Sequence, residues 1–81
     1  MTARELNALI EEKQGYIAEK EWDLAYKVNR VREINARPTA NKQLKSRIVS
    51  RYKTEIKQLT DELNNLKVEL WGLQELNLPE A

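Results

Sequence analysis

The chain has no cysteine, no histidine and no phenylalanine, and it carries only two glycines and two prolines. Without Cys or His, neither disulfides nor a structural zinc site can brace so short a sequence. The same gap removes the common nucleophile–base pairs and the Glu-x-x-His ligands of bundle metal centres. No glycine-rich loop is present to cradle phosphates. No apolar run approaches the roughly 20 residues that span a bilayer. The opening stretch, MTARELNALIEEKQ, turns charged too soon for a signal peptide. These absences predict a soluble, cytoplasmic chain that is not an enzyme, holds no cofactor or metal, takes no small-molecule substrate and does not enter a membrane.

What is present is charge and helical periodicity. A third of the 81 residues are charged, a composition of long helices and not of sheet. Thr2-Ala3-Arg4-Glu5 has the form of a capping box, so a helix should start there. Ala3, Leu6, Ile10, Ile17, Leu24, Val28, Val31 and Ile34 then recur at helical spacing. Gly15 interrupts this stripe at a cost of about 1 kcal/mol relative to alanine, with a close neighbour as one explanation for it. Arg37 precedes Pro38 and is steered out of helical angles, after which Thr39 or Asn41 can cap a second helix. From Val49 through Tyr52, Ile56, Leu59, Leu63, Leu66, Leu70 and Leu73 the spacing alternates between three and four, which is a heptad seam. Asn77 and Pro79 supply a stop.

The reading is all-α: one domain over 1–81, with helix 1 at about 2–36, a bend at about 37–40 and helix 2 at about 40–77, folded as an antiparallel, coiled-coil-like hairpin. A bend centred on Pro38 pairs residues whose numbers sum to about 76. In that register Ala3 meets Leu73, Leu6 meets Leu70, Ile10 meets Leu66, Ile17 meets Leu59, Leu24 meets Tyr52 and Val28 meets Ile48. Lys13, Lys20 and Lys27 recur every seven residues in the first stripe, and Glu55, Glu62 and Glu69 flank the second. The register predicts pairing of Lys13 with Glu62 and of Lys20 with Glu55, each lysine laying its stem along the seam.

Two further patterns point to partners. Ala18, Trp22, Ala25 and Tyr26 cluster on the side opposite Leu24, while Val68 and Trp71 lie off the second seam. A helix apolar on two sides commonly belongs to a bundle, so these six residues are expected to form a homodimer interface completing a four-helix bundle. Charge is also segregated. Residues 27–57 hold ten cations and two anions, a balance of +8, whereas the remainder holds four cations and eleven anions, a balance of −7. Folding at Pro38 therefore gives a basic bend end and an acidic open end.

Arg30, Arg32, Arg37, Lys42, Lys45, Arg47 and Arg51 are the expected contacts for an anionic partner. An acidic protein surface suits their bidentate geometry. The alternative is nucleic acid, read through its phosphate backbone. A third use needs no other partner: hairpins packed head to tail compensate each other's poles. The stretch SRYKT resembles the second helix of the bacterial two-helix protein of the large ribosomal subunit, itself a basic antiparallel hairpin. That family's glycine-containing connection is missing here, and this chain is longer at the C-terminus. The functional expectation is an interaction or assembly protein that self-associates and binds another macromolecule.

Overall fold

The computed structural model describes residues 1–38 and 41–76, and these form two helices and no strand. Helix α1 spans Ala3–Ala36 and helix α2 spans Lys42–Gln74, packed against each other as a hairpin 64 Å long and 15 by 12 Å in section. Local chemistry fixes the starts. The Thr2 hydroxyl accepts from the Glu5 amide at 3.2 Å, and the Asn41 side chain accepts from the Leu44 amide at 3.0 Å. Each thus satisfies an amide of the first turn that has no partner within its helix. Arg37 leaves α1 with φ −86° and ψ 129°, the extended conformation that a following proline imposes. Thr39, the alternative cap, and the Asn77 and Pro79 stop lie outside the described residues. Helix α2 starts two residues later than the sequence suggests, at Lys42, with Asn41 as its cap.

The core is a single seam. Leu6 and Ile17 on α1 and Leu59 and Leu63 on α2 are the buried hydrophobic residues. No other described residue is buried, because two helices in contact cover only one stripe of each.

The register differs from the sequence expectation by one heptad. Lys13 Nζ lies 2.7 Å from Glu69, Lys20 Nζ 2.7 Å from Glu62, and Lys27 Nζ 4.0 Å from Glu55. Each pair of residue numbers sums to 82, not to 75 as in the expected pairs. A heptad seam repeats every seven residues, so sliding one helix by that amount again sets apolar positions against apolar positions. Leu24 moves from the level of Tyr52 to that of Leu59, and Ile17 from the level of Leu59 to that of Leu66. Charge decides between the two alignments. The observed one provides a glutamate for all three seam lysines, whereas the expected one leaves Lys27 facing Ile48. The lysine stems lie partly covered along the seam, with Lys27 the most covered at 18% side-chain exposure. Gly15 has no close neighbour within the hairpin: a Cβ built there would meet nothing within 4 Å.

Candidate interaction surfaces

Two surfaces on this hairpin are unlike the solvated exterior of an ordinary helix pair. The first is aromatic. Trp22 is 80% exposed and Trp71 is 71% exposed, with Tyr26 and Val68 also open to solvent. Ala18, Trp22, Ala25 and Tyr26 line a shallow groove of about 470 Å³ together with Glu21 and Asn29. Val68 and Trp71 line a second, of about 410 Å³, with Lys67 and Asn64 among its walls. Glu21 and Lys67 form an ion pair at 3.4 Å. Since Glu21 borders the first groove and Lys67 the second, the pair joins them along one side of the hairpin. All six residues expected at a dimer interface thus fall on one or other of two adjoining grooves. Glu21 and Trp22 lie close to the midpoint of α1, whereas Trp71 is three residues from the end of α2, so the surface runs from mid-length toward the open end.

Periodicity identified these residues as off the seam but could not tell that the two clusters adjoin, since that depends on the register. Glu21 and Lys67 are opposite charges whose numbers sum to 88, less than two turns from the alignment of the lysine–glutamate ladder.

The second surface is the bend end. Of the seven cations expected there, two have structural work. Lys45 donates to the backbone carbonyls of Asn35 at 3.3 Å and Arg37 at 3.5 Å, placing a cation at the negative end of the α1 dipole. Arg30 donates to Glu33 at 2.8 Å, and the Tyr52 hydroxyl followed by the Glu33 carboxylate holds its guanidinium more firmly protonated than usual. Arg32, Arg37, Lys42, Arg47 and Arg51 are exposed, and their side chains have no ion-pair partner among the described residues. The bulk of the carboxylates is elsewhere. Glu5, Glu11 and Glu75 are toward the open end and are likewise without an ion pair among the described residues. Internal pairing therefore sharpens the segregation that the sequence shows: it uses glutamates along the middle and leaves each pole with surplus charge of one sign.

A feature of the bend that periodicity misassigned is Ile48, expected against Val28 in the core. The one-heptad slide moves it to the rim, where it is 39% exposed beside Leu44 at 53%. Leu44, Ile48, Ile34 and Pro38 line a notch of about 240 Å³ whose walls also include Arg37 and Lys45.

The acidic residues of α1 do not form a site. Glu12 accepts from the Tyr16 hydroxyl at 3.0 Å, which raises the phenol's pKa. Asp23 accepts from Lys27 at 2.8 Å, and that hydrogen bond, against the opposing effect of partial burial, holds the lysine pKa above its ordinary value. Among the described residues no group of three carboxylates is arranged to hold a metal ion, and no helix is long and apolar enough to cross a membrane. No protein-family model matches the chain, and comparison with curated proteins and with solved structures found no match.

Proposed function

We propose that this chain is a non-enzymatic assembly protein: two hairpins join across the aromatic face into a four-helix bundle, and the basic bend ends of that bundle bind an acidic protein surface. The carrying observation is the pair of tryptophans, 80% and 71% exposed, on adjoining grooves that run from mid-length toward the open end. A hairpin with four buried residues has little core of its own, and domains of this size commonly gain stability by oligomerising. Exposed aromatic surface on that scale is a large apolar burial waiting for a partner.

Charge selects the orientation. Because Trp22 lies close to the midpoint of α1, a two-fold axis beside it overlaps two copies along most of their length. Packed head to tail, each basic bend lies beside the other copy's acidic open end; packed in parallel, like charges meet at both ends. The absence of native cysteine makes this orientation easy to test. Asn7→Cys marks the open end and Asn35→Cys the bend end, both at exposed positions. With a short thiol cross-linker, a mixture of the two variants should give covalent dimers between unlike variants. Cross-linking of Asn35→Cys to itself, without the mixed product, would refute the head-to-tail arrangement.

A second reading, nucleic-acid binding, is favoured by the five exposed cations without ion partners at one pole. It predicts retention on nonspecific DNA or RNA that falls steeply with salt, as neutralised phosphates release counterions.

A further inference from the structure

We propose that the notch at the bend is a docking site for a short acidic peptide segment carrying an aliphatic anchor. This rests on the acidic-protein reading above and specifies the chemistry of the ligand. Leu44 and Ile48 are one turn apart on α2, and both stand open to solvent, 53% and 39% exposed, over Ile34 and Pro38. The seam does not use them, yet they sit among the most concentrated positive charge on the molecule. Arg37 walls the notch, and Lys42, Arg47 and Arg51 stand close by in sequence on the same end of α2, all without an ion pair among the described residues.

Local helix physics does not account for these cations. The first turn of α2 contains no acidic residue, although the amino end of a helix dipole is positive and favours Asp or Glu there. Lys42 stands instead at that positive end, where its own charge is unfavourable. An anionic ligand would relieve the repulsion and meet the arginines through paired hydrogen bonds. Lys45 is excluded from that role because it already holds the α1 carbonyls.

The apolar floor separates a peptide from the other anions. Phosphate backbone contacts gain nothing from covering two aliphatic side chains, and none of the residues lining the notch is an aromatic ring on which a base could stack. An extended acidic segment with leucine or isoleucine would satisfy both features, its side chain entering between Leu44 and Ile48 and its carboxylates reaching Arg37, Arg47 and Arg51.

The test uses the full chain and fluorescence anisotropy at low salt. The probes are a labelled peptide of glutamates with two central leucines, the same peptide with serines for leucines, a single-stranded RNA oligonucleotide, and phosphatidylserine vesicles. The leucine peptide should bind about tenfold or more tightly than the serine peptide, as burial of aliphatic side chains requires. Leu44→Ser should erase that difference without altering helicity, and Arg47→Glu should weaken both peptides. Equal binding of the two peptides, unaffected by Leu44→Ser, would overturn the notch while leaving the acidic-protein reading in place. Binding of RNA or vesicles in preference to either peptide, or no binding by any probe, would overturn both.

Discussion

Replacing Trp22 with glutamate should convert the protein from dimer to monomer while leaving each hairpin helical. Trp22 is 80% exposed in the hairpin. A tryptophan offers roughly 200 Å² of burial, so covering the open four fifths at about 25 cal/mol per Å² corresponds to about 4 kcal/mol in each copy. Association recovers only part of such area-based energy. At half that efficiency, the two copies of Trp22 together contribute about 4 kcal/mol, or about a thousandfold in the dissociation constant. Glutamate removes this and adds a charge that would have to be buried without a partner. Sedimentation velocity is the direct assay, with circular dichroism as the check on folding. The native protein should sediment at twice its 9.5 kDa chain mass and Trp22→Glu at 9.5 kDa. Helical signal should persist, because the buried residues Leu6, Ile17, Leu59 and Leu63 do not include Trp22. An unchanged sedimentation coefficient in a folded Trp22→Glu would refute the assignment of this face to the interface.

The seam and its register give further expectations. Leu63 is 4% exposed, so Leu63→Ala should cost about 2–5 kcal/mol, much of what so small a fold possesses, and should appear as a large fall in melting temperature; a change within experimental error would mean the seam lies elsewhere. Lys20→Glu should destabilise and Glu62→Lys should rescue it, with a coupling of about 0.2–1 kcal/mol, whereas Glu55→Lys should not; rescue by Glu55→Lys alone would restore the register summing to about 75. The raised Lys27 pKa predicts an alkaline effect. A folded-state pKa above the unfolded one means the contribution is complete at neutral pH, begins to fade above the unfolded lysine value of about 10.4, and is lost as pH rises through the folded value. The melting-temperature difference between native protein and Lys27→Gln should therefore shrink across that alkaline range, and a constant difference would show that the Asp23 and Glu55 contacts do not act on it.

The fold was legible because helix signals are local. Thr2, Pro38 and Asn41 act on their own few neighbours, and the spacing of Leu59, Leu63, Leu66 and Leu70 allows no other regular structure, so both helices and the turn between them could be read directly. Register is a different kind of information. Two heptad seams offer near-equivalent alignments seven residues apart, and the choice depends on where the connection ends and on which glutamate each seam lysine meets. Placing the centre of the bend on Pro38, instead of allowing for a connection that runs through Asn41, selected the neighbouring alignment. That alignment puts Ile48 in the core and leaves no notch between it and Leu44. The exposed residues Ala18, Trp22, Ala25, Tyr26, Val68 and Trp71 were identifiable as off the seam. Their grouping into adjoining grooves required the observed register, since only that brings Glu21 to Lys67. The cations at the bend were equally visible in sequence, but periodicity could not show that Lys45 caps α1 and Arg30 is paired with Glu33, leaving a smaller set free to meet a partner.

The molar mass of the native chain in solution, followed by sedimentation equilibrium from low to high micromolar concentration, bears most directly on self-association across the aromatic face. A species of about 19 kDa, twice the 9.5 kDa chain, dissociating only on dilution, is the result this account predicts. A constant 9.5 kDa over the whole range would contradict it.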